Sequence, residues 1–264
     1  LPVDMSEPNR PYVPQAEAAL YRALHGYLRH LDIRGHESSV TWVEFDPVGE
    51  RLVTTTSQGV ARIWEIGTGA PLVEMRGHEK GITCASFSPD GRLLCTASLD
   101  HTARLWDADS GRQITAMRDH GGTITRALFH PTGATIVTAS LDGIARLWNG
   151  ATGELVATMR GHTKAVRDAA FSPSGEYVVT VSDDTTVRVW NALSGTHLAT
   201  LEGHRDAVTQ VAFEHKGGRF VTSSWDRTAR VWEPNSKTSQ LVLIGHTDRV
   251  TDAMLHNIAA QQFA

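Results

Sequence analysis

Residues 162–190, HTKAVRDAAFSPSGEYVVTVSDDTTVRVW, contain four polar or aromatic residues whose spacing recurs along the chain. They are His162, Ser182, Asp184 and Trp190, and the last three follow the histidine by 20, 22 and 28 residues. The same residue types return at the same offsets every 42 residues, which indicates one structural unit copied along the chain. Three other copies are complete: His78, Ser98, Asp100 and Trp106; His120, Ser140, Asp142 and Trp148; and His204, Ser224, Asp226 and Trp232.

The first and last copies depart from this pattern. The first reads His36, Thr56, Gln58 and Trp64, so an amide replaces the carboxylate. A sixth copy opens at Gly245–His246, but the sequence stops before its tryptophan. The repeats therefore begin near residues 35, 77, 119, 161, 203 and 245.

Each repeat has the composition of four short strands joined by turns. A strand follows the Gly-His turn, a Pro- and Gly-containing turn such as SPSG (172–175) comes next, and a β-branched strand leads to the Ser-x-Asp turn. The third strand ends at the tryptophan, and a fourth strand leads to the next Gly-His. Repeated units of four strands predict an all-β propeller, because a lone sheet of this size is unstable and stacking buries its faces. We expect the first strands to end at Phe45, Phe87, Phe129, Phe171 and Phe213.

Composition excludes several classes of function. The 264 residues are 41% hydrophobic, which is enough for a large core. A net charge of -4 argues against nucleic acid as the main partner, and no apolar run approaches the ~20 residues of a membrane span. Cys84 and Cys95 lie in apolar strand patterns, so we expect buried free thiols rather than a disulfide and a reducing, cytoplasmic location.

The N-terminal tract differs from the repeats. Four prolines in residues 1–14 predict an extended linker, and apolar residues spaced by three and four predict an amphipathic helix over residues 15–30. Its modest basic content favours packing against a neighbouring domain over a membrane surface, and no membrane partner is expected. Residues 31–264 form the predicted propeller, in which residues 30–34 make a lone strand before the first whole repeat.

The Gly-His, Ser-x-Asp and Trp-x positions together resemble the WD-repeat family over residues 31–264. The final dipeptide is Trp-Asp only at Trp106–Asp107; elsewhere Glu or Asn follows the tryptophan. The resemblance implies a buried relay in each blade, in which His162 bridges Asp184 and Ser182, and Ser182 reaches the Trp190 indole N–H. Gln58 cannot accept a charge-assisted bond, so we expect blade one to be the weakest.

A second, shorter resemblance concerns RPYVPQAEAALYRALHGYLR (10–29) followed by RGHE (34–37). This tract is similar to the segment that precedes C-terminal WD repeats in large bacterial signalling proteins, namely STAND-type NTPases and TIR-domain proteins. The sequence has no GxxxxGK[ST] phosphate loop, so an upstream effector domain would lie outside this chain.

Ser, His and Asp recur together in four repeats, which invites a catalytic interpretation. One active site does not need several copies of a triad, and the repeated tryptophan indicates a structural role. The thirteen histidines suggest metal ligands, yet successive Gly-His turns fall on different blades, so no metal or other cofactor is expected. An arginine two residues before each tryptophan is either a basic ring for an anion or, more simply, an ion pair between blades or a solvated strand end. These arginines are Arg62, Arg104, Arg146, Arg188 and Arg230.

Positions that differ between repeats are free to bind a partner. Six residues past the histidine the copies read Trp42, Cys84, Arg126, Asp168, Gln210 and Asp252, and the Ser-x-Asp turns also vary. Tryptophan and arginine are typical anchors of protein interfaces. Each of these side chains could instead be packed locally or simply exposed. The candidate contact residues on the rim are Trp42, Arg126, Arg167, Asp168, Trp225 and Arg227.

These observations predict a non-catalytic propeller that binds a protein or peptide, or senses a ligand, within a larger cytoplasmic signalling protein. The alternative is a stand-alone scaffold that assembles several proteins. An enzyme is disfavoured, because the acids Asp168 and Asp252 give no convincing catalytic pair. Five complete repeats and a truncated sixth predict a fragment of a seven-bladed ring, or an open arc whose edge near residues 250–255 pairs with another chain or a second copy.

Overall fold

The computed structural model describes residues 33–214, 216–236 and 238–253, which form five four-stranded antiparallel sheets. In each sheet the strands lie in chain order, and we call the sheets blade 1 to blade 5. Blade 1 contains β1 (Val40–Phe45), β2 (Arg51–Thr56), β3 (Val60–Glu65) and β4 (Pro71–Arg76). Blade 2 contains β5 (Ile82–Phe87), β6 (Leu93–Ser98), β7 (Ala103–Asp107) and β8 (Gln113–Met117). Blade 3 contains β9 (Ile124–Phe129), β10 (Thr135–Ser140), β11 (Ala145–Asn149) and β12 (Leu155–Met159). Blade 4 contains β13 (Val166–Phe171), β14 (Tyr177–Ser182), β15 (Val187–Asn191) and β16 (His197–Leu201), and blade 5 contains β17 (Val208–Phe213), β18 (Phe220–Ser224), β19 (Ala229–Trp232) and β20 (Leu241–Leu243).

The predicted all-β fold with four strands per repeat is confirmed, and every first strand ends at the predicted phenylalanine. The first strands also share a bulge, because their register with the second strand skips one residue in each blade. A bulge re-aims the side chains that follow it. The skipped residues are Thr41, Thr83, Thr125, Arg167 and Thr209.

Neighbouring blades bury each other's faces. The first strand of each blade contacts the first strand of the next, and the second strand packs against it as well. One apolar cluster joins Ile63 and Met75 of blade 1 to Leu94 and Trp106 of blade 2. Equivalent clusters lie between blades 2 and 3, blades 3 and 4, and blades 4 and 5. Strands such as β10 are therefore buried along their whole length, which explains why both of their faces are apolar.

The outer faces of the first and last blades differ. Val43 and Phe45 of β1 are 56% and 61% exposed, whereas the second strand of the same blade is buried. On blade 5, Val221 and Val231 form a small cluster against which Ala253 packs. Val250 is also buried, so the start of the sixth repeat covers part of this face.

Three expectations fall wholly or partly outside the described residues. The predicted linker (1–14) and helix (15–30) lie outside them. Of the predicted lone strand, only Ile33 and Arg34 are described, and neither belongs to a strand. Residues 245–253 of the sixth repeat are described and contain no strand.

Candidate functional site

A chain of hydrogen bonds runs through the interior of each complete blade. In blade 4, Trp190 Nε1–H donates to Thr180 Oγ1 at 2.8 Å, and His162 Nε2 lies 2.8 Å from the same hydroxyl. His162 Nδ1 lies 2.9 Å from Asp184 Oδ2. A neutral imidazole satisfies every group when Thr180 donates to Nε2 and Nδ1–H donates to the carboxylate. Thr180, rather than the predicted Ser182, therefore links the tryptophan to the histidine.

The serine has a different role from the one expected. Ser182 Oγ donates to the Lys164 carbonyl at 3.2 Å and accepts the Asp184 backbone N–H at 3.1 Å. It therefore ties the Ser-x-Asp turn to the Gly-His turn. The serines of blades 2, 3 and 5 make the same pair of bonds, so the Ser-His contact that a catalytic triad needs is replaced by a Thr-His contact.

The relay has the same geometry in other blades. The His Nε2 to Thr Oγ1 distance is 2.7–2.8 Å in all five blades, and so is the Trp Nε1 to Thr Oγ1 distance. Blade 1 keeps the His36–Thr54–Trp64 part, but Gln58 is exposed where the other blades place the aspartate. Burial, followed by the charge of Arg62, lowers the pKa of His36.

Burial and hydrogen bonding fix the charge state of the relay. Burial alone would raise the pKa of Asp100, but hydrogen bonds from His78 and Thr102 outweigh it and hold the pKa well below its usual range. Burial lowers the pKa of His78 more strongly than the hydrogen bond and charge of Asp100 raise it. Burial is also the main cause that lowers the pKa values of His120 and His204. Burial thus favours the neutral form of His78, His120 and His204 beside ionised aspartates, and both ring nitrogens of these three histidines are occupied.

The arginines that precede the core tryptophans lie inside their own blades. A Cβ added to Gly161 would lie 2.5 Å from Arg188 Nη1, and one added to Gly77 would lie 2.5 Å from Arg104 Nη1. The glycine of Gly-His therefore leaves room for a guanidinium. In blade 3 the glycine is replaced by Asp119, whose Oδ2 lies 3.2 Å from Arg146 Nε. The ion pairs of Arg62 with Glu74 and of Arg146 with Asp119 each lie within one blade, so the expectation of ion pairs between blades is wrong for these two arginines.

The structure divides the six candidate contact residues into two groups. The first group lies on the innermost strands, where the Arg126 guanidinium carbon is 4.7 Å from the centre of the Trp42 ring. Arg126 Nε lies 3.1 Å from Asp168 Oδ1, but its N–H makes no hydrogen bond, so the contact is an ion pair. Trp42 belongs to blade 1, Arg126 to blade 3 and Asp168 to blade 4. One repeat position therefore brings three non-identical side chains together, which we call the inner cluster.

The inner cluster is held by the blades themselves. The Asp168 side chain is 6% exposed, and its Oδ2 accepts the Val211 backbone N–H of blade 5 at 3.1 Å. Burial raises the pKa of Asp168 despite the charge of Arg126 and this N–H bond. At the same repeat position, Gln210 Oε1 accepts the Ala253 N–H at 2.8 Å. Residues at this position thus join successive blades, and a partner would reach Asp168 only by displacing protein groups.

The second group lies at the turn rim. Arg167 occupies the bulge position at which the other repeats have a threonine that donates to a backbone carbonyl of the next repeat, at 2.6–3.1 Å. These threonines are Thr41, Thr83, Thr125 and Thr209. Its guanidinium instead forms two hydrogen bonds of 2.7 Å to the Asp183 carboxylate.

Trp225 is the aromatic member of this second group. The Arg167 guanidinium carbon lies 5.5 Å from the Trp225 ring centre, and that of Arg249 lies 4.3 Å from it. We call Arg167, Asp183, Trp225, Arg227 and Arg249 the rim cluster. Its members come from blades 4 and 5 and from the start of the sixth repeat.

Arg227 stands in a strained backbone position. Its φ is 70°, in the left-handed region, where the first and third repeats carry Gly59 and Gly143. A side chain there costs roughly 1–2 kcal/mol relative to glycine's freedom. His101 and Thr185 occupy the same position in blades 2 and 4, with φ of 68° and 71°.

Sequence reasoning missed several of these residues. The relay threonine is present 18 residues past the histidine in all five copies, and this invariance was the available signal; the residues are Thr54, Thr96, Thr138, Thr180 and Thr222. Arg249 also had a signal, since the equivalent position holds a small residue in each of the five other copies. Asp183 is unlike its counterparts Ser57, Leu99 and Leu141 in being charged.

Other predicted features can be placed as well. Cys84 and Cys95 are free and buried, as expected, and burial raises the pKa of Cys84 to about 11. Within the described residues, no helix combines the length and apolar composition needed to cross a lipid bilayer. In the same part of the chain, no group of three or more His, Cys, Asp or Glu side chains is placed to hold a metal ion.

Comparison with known families agrees with this geometry. The family model described as "WD domain, G-beta repeat" matches residues 28–65, 69–107, 111–149, 153–191 and 195–233, which together make up more than half of the chain. Each match ends at the residue that follows the core tryptophan of a blade. A search of curated proteins found no match.

Proposed function

The chain belongs to the WD-repeat family, and we propose that it is a non-catalytic module that binds a protein or peptide through its turn rim. WD repeats suggest an interaction or scaffold module, and they are generally non-catalytic. The hydrogen bonds of the serines support the same view, because each of these Ser Oγ atoms donates to a backbone carbonyl of a turn rather than to a histidine.

The rim cluster is the observation that carries this proposal. Arg167 replaces the threonine that joins neighbouring blades elsewhere, and Trp225 keeps a half-buried indole at a turn where blades 2 and 3 have leucine. Neither change is needed by the fold, since other blades close without it. Preorganised aromatic and arginine side chains are typical of binding hot spots.

Photo-cross-linking of the native gene product in its own cells tests the proposal. We expect p-benzoylphenylalanine in place of Thr247, which is exposed and lies two residues before Arg249, to give discrete adducts with a partner. The control carries p-benzoylphenylalanine in place of Ser110, in the turn between β7 and β8, which lies at the opposite end of the blades from the Ser-x-Asp turns. Equal adducts at both positions, or none at position 247, would overturn binding at this rim.

The wider setting that we propose is a cytoplasmic signalling protein, in which the propeller senses a partner and an upstream domain responds. Support comes from the similarity of residues 10–29 and 34–37 to the tract that precedes WD repeats in STAND-type NTPases and TIR-domain proteins. In this proposal residues 1–14 are a linker and the helix over residues 15–30 couples the two parts. The rim surface would be occupied by a protein or peptide, without nucleic acid, membrane or cofactor.

The alternative is a stand-alone scaffold that assembles several proteins. The intact mass of the native gene product, compared with the 28.8 kDa of this chain, distinguishes the two. A much larger product that contains an effector domain supports the signalling proposal and a ring completed by further blades. A product near 28.8 kDa supports the scaffold, with edge pairing or self-association to cover the end blades.

A further inference from the structure

We infer that the segment bound at the rim is acidic and that its carboxylates are held by Arg249, whose guanidinium lies over the Trp225 ring, and by Arg227 of the same turn as Trp225. This inference rests on the proposed binding function and adds the chemistry of the partner. We call the surface made by Trp225, Arg227 and Arg249 the Trp225 face.

The two arginines of the Trp225 face lack carboxylate partners. Both are exposed, and among the described residues neither has an acidic side chain within 4.0 Å. Asp248 Oδ1 and Asp206 Oδ1 each accept a backbone N–H of the following residue at 2.7 Å, so neither carboxylate is paired with the two arginines. Asp226 is held by His204 and by the Arg205 N–H. Among the described residues, the two guanidinium groups therefore keep donors that no acidic side chain occupies.

Trp225 adds a further donor and an apolar surface. Each core tryptophan donates its indole N–H to a threonine, whereas the Trp225 indole N–H meets no acceptor within the described part of the chain. The ring is half-buried, and the Arg249 guanidinium carbon lies 4.3 Å from its centre. A face of two guanidinium groups and one indole N–H matches carboxylate oxygens, and the ring edge matches an apolar neighbour in the same segment.

Arg167 acts as a support rather than as a ligand. Its two bonds to Asp183 neutralise it and fix its plane 5.5 Å from the Trp225 ring centre. A ring held by a fixed guanidinium loses little conformational freedom when a partner binds. This explains why blade 4 gives up the threonine hydrogen bond that joins the other blades.

Fluorescence anisotropy with three pools of labelled 12-residue peptides tests the inference on the full chain. Every pool contains Leu and Phe; the pools differ in carrying Asp and Glu, Lys and Arg, or Ser and Gln. We expect only the acidic pool to bind, and we expect its affinity to fall as salt is raised from 50 to 300 mM, because exposed ion pairs are screened. A 12-nucleotide deoxythymidine strand serves as a second anionic probe, and we expect it to bind at least tenfold more weakly than the acidic pool.

The variants make the location specific. Arg249→Ala and Trp225→Ser should each weaken binding of the acidic pool at least tenfold. Leu99→Ser removes the exposed residue at the equivalent turn of blade 2 and should leave the affinity within twofold. Circular dichroism melts of all three variants confirm that the fold is retained.

The outcomes separate this inference from the proposed function. Stronger binding of the basic or neutral pool, lost in Trp225→Ser, would overturn the acidic partner and leave the binding function in place. Equal binding of the acidic pool by wild type and Arg249→Ala, equal binding of the deoxythymidine strand, or no binding by any pool would also overturn the inference. Failure of the binding function itself is read from the photo-cross-linking at position 247, where no proposed contact residue is replaced.

Discussion

The relay and the rim cluster lie next to each other in the blades but follow opposite rules. The relay repeats with distances that agree within about 0.1 Å, whereas the turn that covers it holds Ser57, Leu99, Leu141, Asp183 and Trp225 in successive blades. Every blade must bury a tryptophan N–H and an imidazole, and a buried polar group without a partner costs stability. The turn side chains face no such demand. The difference teaches that identity between repeats marks the groups that hold this fold, and variation marks the groups that remain free for a partner.

The largest expected effect is on the relay. Thr96→Val replaces a fully buried hydroxyl with a methyl group and leaves the Trp106 N–H and His78 Nε2 without partners. Each orphaned group costs about 1–3 kcal/mol, so we expect the free energy of unfolding in urea to fall by about 3 kcal/mol.

Thr135→Val is the matched control for this variant. The Thr135 hydroxyl is also buried, but it has no hydrogen-bond partner among the described residues. Valine there should leave stability unchanged or raise it by about 1 kcal/mol. Equal losses for the two variants would show that the relay does not hold the fold.

Acidification should weaken the relay. The folded-state pKa values of His78, His120 and His204 lie below the ordinary value of about 6.5, so the unfolded chain binds protons more readily. The histidines therefore contribute fully to the free energy of unfolding above about pH 6.5, and this contribution is lost as the pH falls from there toward their folded-state pKa values. The relay aspartates, whose pKa values are also lowered, hold their contribution until the pH falls below about 3.9.

Thermal melts between pH 7.5 and pH 5.0 check this expectation. The melting temperature should fall over that range, with a second fall below about pH 4. Stability that stays constant or rises between pH 7.5 and pH 5.0 would contradict neutral histidines in the relay.

A substitution in blade 1 should increase stability, by less than the relay variant decreases it. Gln58→Asp should give His36 the carboxylate partner that the other blades have, and we expect stability to rise by about 1 kcal/mol. The reciprocal variant Asp100→Gln should lower stability by more than this, because Asp100 also accepts the N–H groups of Glu79 and Thr102. A loss of stability in Gln58→Asp would mean that blade 1 is not limited by its missing aspartate.

The smallest expected effect is at the rim. Arg227→Gly removes the strain of a side chain in the left-handed region. After the entropic cost of glycine is subtracted, we expect the free energy of unfolding to rise by about 0.5 kcal/mol. Thr185→Gly should raise it by the same amount, since the φ of Thr185 is nearly identical. Only Arg227→Gly should also weaken binding of the acidic peptide pool. Weakening by Thr185→Gly to the same extent would assign the effect to backbone flexibility rather than to the arginine.

Much of the fold could be predicted from the sequence, because the same constraint is repeated five times. The strand ends at Phe45 and its counterparts, the His162–Asp184 contact and the buried cysteines were all predicted correctly. Thr180 was missed for a physical reason. In the sequence a threonine in a β-branched strand looks like an ordinary strand residue, and only the structure shows its hydroxyl between two buried polar groups.

The candidate site could be predicted only in part. Variation between repeats singled out unusual residues, yet it could not show which of them meet. Trp42 and Arg126 lie in blades 1 and 3, and no signal in the sequence shows that side chains of these two blades are in contact. The partners that bury Asp168, such as the Val211 N–H, are backbone groups with no sequence signal.

The free energy of unfolding of Trp225→Ser, measured in urea beside Thr96→Val, tests the distinction between relay and rim most directly. Serine already occupies this turn position in blade 1 as Ser57, so the turn can accept it. If Trp225 is held for a partner, its replacement costs only the contacts of its half-buried ring with Arg167 and Arg249, about 1 kcal/mol. A loss as large as the roughly 3 kcal/mol expected for Thr96→Val would show that Trp225 holds the fold, and would contradict the assignment of the rim cluster to binding.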